Sequence, residues 1–202
     1  MSQPTNQPHP LVKPFAPMPQ IATMQWEGDL WRIGKDSTPV TKVYSAPHYR
    51  YDAPAQQYPA LYTCDTETGT FAEVYGEKGY DIGPSQAQRY LLHLRTKSPL
   101  TLIDFRDPAT LRALHLDVRI CVGDDYPCCQ AWALAIYQQY PNVCGIRYQS
   151  RKALISVSNI FLFGDHCLDA LEIVEAPKLE DIEARVLLAA DAYQITVFFA
   201  FK

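Results

Sequence analysis

Apolar positions along this chain fall into short alternating runs and helical patches that follow one another in no fixed order. Asp29-Leu30-Trp31-Arg32-Ile33 alternates polar with apolar residues and predicts a strand. Leu61-Tyr62-Thr63-Cys64 is a second β-prone run. Behind it, Asp65 or Thr66 offers a helix N-cap, Glu67 sits where the helix dipole favours an acid, and Gly76 supplies a stop. Residues 60–76 are therefore expected to form a βα unit, with Tyr62 on the strand and Glu73 on the helix.

Further along, residues 84–94 are expected to be helical and residues 100–105 to form a strand. Asp107-Pro108 starts a helix with Leu111 and Leu114 on one face, the proline at its first position. Asp125 and Pro127 open a longer one, in which Trp132, Ala133, Ile136, Tyr137 and Tyr140 recur at helical spacing before Pro141. That aromatic row reads as core packing, and Asp124-Asp125 as a helix cap rather than a carboxylate dyad. Residues 144–148 and 160–163 are strand-like. Residues 179–192 look helical through Ile182, Val186 and Leu187, and residues 195–201 read as a last apolar strand. Strands and helices mix without the regular alternation of a doubly wound sheet, so the expected class is α+β.

Proline changes the picture at the start of the chain. Pro4, Pro8, Pro10, Pro14, Pro17 and Pro19 exclude a helix or a central strand there, and Lys13 is the only charge before residue 20. Residues 1–26 are expected to be an extended or disordered tail whose loss changes little. Residues 27–202 are expected to form one domain. Residues 39–59 make a long connection rich in proline and tyrosine that holds His48-Tyr49-Arg50-Tyr51-Asp52. Loops of that length in compact domains are often functional.

Charge narrows the function classes. A net charge of −4 over 202 residues, with pI near 5.7, gives no nucleic-acid footprint. An anionic small ligand would need local arginines. The six cysteines include no C-x-x-C pair and read as buried small hydrophobes in a reducing compartment. No leader pattern or long apolar segment is present, so the cytoplasm is the expected location and no membrane partner is expected. The five histidines are scattered without metal-ligand spacing, and phosphate-loop, dinucleotide and nucleophile-elbow motifs are absent.

Five patches together resemble the RES domain, over roughly residues 30–168. They are Trp31-Arg32, Tyr49-Arg50-Tyr51, the run LYTCDTETGTFAEV, GIRYQSR and NIFLF. That family is named after an arginine, a glutamate and a serine, and supplies the toxin of RES–Xre toxin–antitoxin modules. The resemblance implies an ADP-ribosyltransferase-like fold of mixed sheets with flanking helices. It also implies NAD as substrate, cleaved at the nicotinamide–ribose bond by phosphorolysis or hydrolysis, with inorganic phosphate as a candidate co-substrate and no bound cofactor. Restraint by a helix-turn-helix antitoxin is implied too.

By position in the patches, Arg50 matches the family's arginine, Glu73 its glutamate and Ser150 its serine, while Arg32 and Tyr62 match further shared positions. Arg32 and Arg50 carry planar forks suited to phosphate. Tyr62 can stack on the cationic nicotinamide ring. Glu73 can hold ribose hydroxyls and stabilise an oxocarbenium-like transition state, and Ser150 can bind a phosphate or ribose oxygen. By residue type alone each also reads as ordinary structure: an exposed arginine, a packed tyrosine, a turn serine. Two positions depart from the family's habit. Tyr49 stands where a glycine often precedes the arginine, and Glu77 where many relatives carry histidine. Protein ADP-ribosylation at the same site and an inactive RES-like binding module are the alternatives. The oligomeric state stays open, a homodimer included.

Overall fold

The structure, a computed structural model, describes residues 11–39, 41, 43, 45–76, 81–153 and 156–202. In chain order the elements are β1 (Met24–Trp26), β2 (Asp29–Gly34), β3 (Ala60–Cys64), α1 (Glu67–Tyr75), α2 (Pro84–Ala87) and β4 (Tyr90–Thr96). They continue with β5 (Leu100–Asp104), α3 (Pro108–Ala113), α4 (Arg119–Val122), α5 (Tyr126–Gln139) and β6 (Gly145–Gln149). The last are β7 (Ser158–Phe163), α6 (Gly164–Cys167), β8 (Leu171–Glu175) and α7 (Glu183–Tyr193). One eight-stranded sheet has the order β1-β5-β6-β7-β3-β2-β4-β8. Among the described strands, only the β5–β6 pair is parallel. The class is α+β, as the mixed periods predict.

The expected βα unit forms, and Thr66 rather than Asp65 caps it: its hydroxyl accepts from the Gly69 N–H at 3.2 Å. Asp65 instead accepts from the Ser158 N–H at 2.9 Å, which ties the end of β3 to the start of β7. Gly76 closes the helix, its N–H donating to the Ala72 carbonyl. Gly69 is required by contact, not by conformation. A Cβ there would lie 2.5 Å from Thr66 Oγ1, 2.6 Å from Val157 Cγ1 and 2.9 Å from Cys64 Sγ. The helix can sit this low on the sheet only because that face is bare.

Alternation along β7 divides the core. Phe161 and Phe163 point to a cluster built on α5, with Tyr51, Tyr58, Trp132 and Ile146. Ile160 and Leu162 point the other way, among Leu30, Leu61, Leu94 and Leu102. A further cluster joins Phe71 and Tyr75 of α1 to Ile33, Leu91 and Val186. Side chains from the first and last of these clusters line the main cavity.

Three expectations need correction. Residues 84–94 hold a single helical turn, α2, and then the interior strand β4. Pro84 is a true helix start, but Leu91, Leu92, His93 and Leu94 are all buried between β2 and β8, so no alternation marks the strand. Residues 195–201 are not a strand. Val197, Phe199 and Phe201 pack on the α1–α7 cluster in period two, while their backbone makes one bridge, Ile82 with Val197.

The passive tail is the third, from residue 11 on; residues 1–10 of it lie outside the described residues. Leu11 is buried in the α5 cluster and Phe15 meets Trp132 edge-on at 5.9 Å. The Val12 carbonyl accepts from Trp132 Nε1 at 2.7 Å, and the Met18 N–H donates to Gln139 at 2.8 Å. Met24–Trp26, placed in the tail by the proline pattern, is the edge strand β1 paired with β5. Prolines exclude a helix, but they do not stop the apolar residues between them from docking.

Two outcomes follow. Deleting residues 1–20 uncovers Leu11's site and orphans the buried indole N–H, so the melting temperature falls by roughly 5–10 °C; an unchanged thermal midpoint contradicts the packing. Gly69→Ala costs about 1–3 kcal/mol in denaturant unfolding despite the better helix propensity of alanine. An equal or raised midpoint would show that α1 is free to lift.

Candidate active site

A cavity of about 420 Å³ opens over the sheet face beside α1. Its floor includes Tyr62 and Cys64 of β3, Asn159 of β7 and Tyr148 of β6. Register sets the row: Asn159 pairs with Cys64 on one side and with Tyr148 on the other. Thr70, Glu73 and Val74 form the helix wall, and Trp31, Arg32 and Ile33 the β2 wall. His48, Tyr49, Arg50, Tyr126, Arg151 and Lys152 complete the rim.

The loop that presents Arg50 is fastened by Asp52, which is 1% exposed. Its Oδ2 accepts from the N–H groups of His48 (2.9 Å) and Tyr49 (2.8 Å), and its Oδ1 accepts from the Tyr62 hydroxyl (3.0 Å). That hydroxyl accepts in turn from the Tyr51 N–H at 2.9 Å. Burial, helped by the charge of Asp52, pushes the Tyr62 phenol well above its ordinary range, so it stays a donor at neutral pH. The Tyr62 ring lies 5.1 Å from Phe161 and 5.6 Å from Tyr49.

Arg50 is buried, and its Nη1 donates to the Gly123 carbonyl at 2.6 Å. Its guanidinium lies 4.9 Å from the Tyr126 ring centroid. One nitrogen is thus anchored to the α4–α5 connection while the group borders the cavity. Arg32 Nη1 donates to the Tyr62 carbonyl at 3.0 Å, bracing β2 against β3. Its neighbour Trp31 stacks on His93 at 3.9 Å, which stiffens that wall.

Glu73 and Ser150 meet, although they come from α1 and from the end of β6. The Ser150 hydroxyl donates to Glu73 Oε1. Its oxygen accepts from the N–H groups of Lys152 (3.1 Å) and Ala153 (2.8 Å), so the single hydroxyl proton is left for Glu73. Ser150 is 2% exposed and stands behind Glu73. The direct phosphate contact expected of it has no proton to spare in this arrangement. Lys152 Nζ donates to the Glu73 carbonyl at 3.0 Å, placing a cation over the last turn of α1. Burial, and then the charge of Glu73, raises Tyr148 far above the ordinary tyrosine range. Burial also lifts Cys64 to about 11, with Asp65 and Glu73 adding to it. Both floor groups stay neutral.

Among the described residues, Arg32, Arg50, Arg151 and Lys152 line the cavity against one lining carboxylate, Glu73. A protein of net charge −4 therefore concentrates positive charge in its main cleft, the pattern that draws in an anion. Arg32, Arg50, Tyr62 and Glu73 are brought to one cavity, with Ser150 in contact with Glu73. Glu77 lies outside the described residues, whereas Tyr49 is 52% exposed at the rim. Asp52, Asn159, Tyr126 and Lys152 line or brace the site and were given no role from the sequence. Of these, Asp52 was signalled by its place in the tyrosine-rich loop and Asn159 by opening the patch NIFLF.

No curated protein sequence matches the chain. The fold is similar to that of a chain in the crystal structure of the M. tuberculosis MbcT–MbcA toxin–antitoxin complex, with a TM-score of 0.61. Identity is 16%, over 85% of this chain and 92% of that one. The likeness is one of fold, an α+β architecture shared over most of both chains. The RES domain model matches residues 29–184, from β2 into α7, and so spans every residue that lines the cavity. With that match over most of its length, the chain belongs to the RES domain family.

Proposed function

We propose that this chain is a RES toxin that depletes NAD by cleaving its nicotinamide–ribose bond, and that an antitoxin restrains it. The observation that carries the reading is a carboxylate, Glu73, fixed by Ser150 in a cavity whose other charged lining groups, among the described residues, are cationic. A dinucleotide with two phosphates and a cationic leaving ring asks for both features. Arg32 and Arg50 take the pyrophosphate, since their forks can each hold two oxygens. Glu73 turns its second oxygen to the nicotinamide-side ribose.

In the reaction the C1′–N bond breaks and its electron pair leaves on neutral nicotinamide. The positive charge passes to the ribose ring as an oxocarbenium ion. Glu73 faces that charge as it develops, and Ser150 keeps the carboxylate from rotating away. Tyr62 and Tyr49 offer ring faces to the nicotinamide. Phosphate or water then attacks C1′, giving ADP-ribose 1-phosphate or ADP-ribose. A chain of the same fold occurs in a toxin–antitoxin complex, which supports restraint in trans for this one.

Incubation with NAD tests the reading. Free nicotinamide with a soluble ADP-ribose product is expected, with phosphate dependence naming the acceptor; a labelled protein points to ADP-ribosylation, and an untouched NAD pool overturns the proposal. Glu73→Gln keeps the melting temperature and lowers turnover by at least about a hundredfold. Ser150→Ala, which frees the carboxylate without removing it, lowers turnover by about tenfold. Near-wild-type rates in both folded variants would take the pair out of the chemistry.

Expression without a partner should arrest growth and lower cellular NAD, and Glu73→Gln should do neither. Normal growth with abundant active protein would contradict the toxin role.

A further inference from the structure

Asn159 sits at the centre of the cavity floor and is 4% exposed. Its Oδ1 is buried without a hydrogen-bond partner, and its Nδ2 donates to none of the described residues. A buried carboxamide left unpaired costs stability, and most buried polar groups in folded proteins avoid that state. The neighbouring polar groups are already committed. Thr63 Oγ1 donates to the Ile160 carbonyl, and Ser158 Oγ takes the guanidinium of Arg147. Asn159 is the carboxamide of the row, with a donor and an acceptor side by side for whatever enters.

Its place in the row suggests what that is. Cys64 and Tyr148 flank Asn159 across the sheet, and Cys64 lies under Gly69 of α1, one helical turn before Glu73, which lines the same cavity. The end of the ligand that reaches Asn159 is thus the end that reaches Glu73. Nicotinamide carries one carboxamide, and two carboxamides can pair with two hydrogen bonds, each giving an N–H and taking one.

We propose that Asn159 recognises the carboxamide of the nicotinamide ring and so selects the dinucleotide that this cavity cleaves. The proposal rests on NAD being the substrate. Asn159 orients the leaving group, with its Oδ1 accepting from the ring's amide N–H and its Nδ2 donating to the amide oxygen. The buried acceptor left unpaired by the fold is the cost of that selectivity. A pocket built around a hydrogen bond rejects analogues that cannot make it.

The test measures kcat/KM for NAD and for its 3-acetylpyridine analogue, in which a methyl group replaces the amide nitrogen. Wild-type protein, Asn159→Ala and the bulkier Asn159→Leu are compared. Wild type should prefer NAD by about ten- to a hundredfold. In both variants that preference should collapse to within about threefold, through loss of NAD use rather than gain of analogue use. Their melting temperatures should match or exceed wild type, because the carboxamide bonds nothing in the fold.

Equal losses on both dinucleotides would assign Asn159 to the ribose or to shape, and overturn the proposal while leaving NAD cleavage standing. A lower melting temperature in both variants would make the residue structural and overturn it likewise. Folded wild-type protein that consumes no NAD would remove the substrate reading, and this proposal with it.

Discussion

Glu73 is held by a serine whose other bonding capacity is spent. The Ser150 oxygen is filled by the N–H groups of Lys152 and Ala153, so its proton has one place to go. That contact joins α1 to the end of β6, two elements brought together only by the sheet between them. It depends on how low α1 sits, and Gly69 sets that height through its contacts with Cys64 and Val157. Raise the helix and the carboxylate leaves both its anchor and the floor row of Cys64, Asn159 and Tyr148. Glu73 and Ser150 thus form one fixed group rather than two.

Around that group the protein accepts several local costs. Arg50 is buried but answered by the Gly123 carbonyl and the Tyr126 ring. Asp52 is buried with three donors on it, and so converts a loop into a rigid mount. Asn159 has no such compensation. Fully satisfied polar groups stiffen a site, whereas an unsatisfied one waits for a ligand. The cavity contains both kinds, and the difference separates scaffold from recognition.

Much of this architecture is legible in the sequence where local signals and burial agree. Thr66, Glu67 and Gly76 mark α1, and Asp125 with Pro127 marks α5, because caps and helix starts are chemical rather than positional. Strand β4 is not legible, since an interior strand buried on both faces loses its alternation. Strand β8 hides for the opposite reason: after Leu171 its residues are exposed at the sheet edge. Residues 195–201 show that period two reports which side chains are buried, not whether the backbone finds a ladder. Within the site, the patches that resemble the family point to Arg32, Arg50, Tyr62, Glu73 and Ser150. They could not show that Ser150 serves Glu73, that Asp52 belongs, or what Asn159 at the head of NIFLF faces, because those facts exist only once distant strands are in register.

The most direct measurement is a crystal structure of the Glu73→Gln variant grown with NAD. The account predicts intact dinucleotide in the cavity, its nicotinamide ribose against residue 73 and its phosphates on Arg32 and Arg50. The nicotinamide carboxamide should lie within hydrogen-bond distance of Asn159. Dinucleotide bound outside the cavity, or with its adenine end at residue 73, would contradict it.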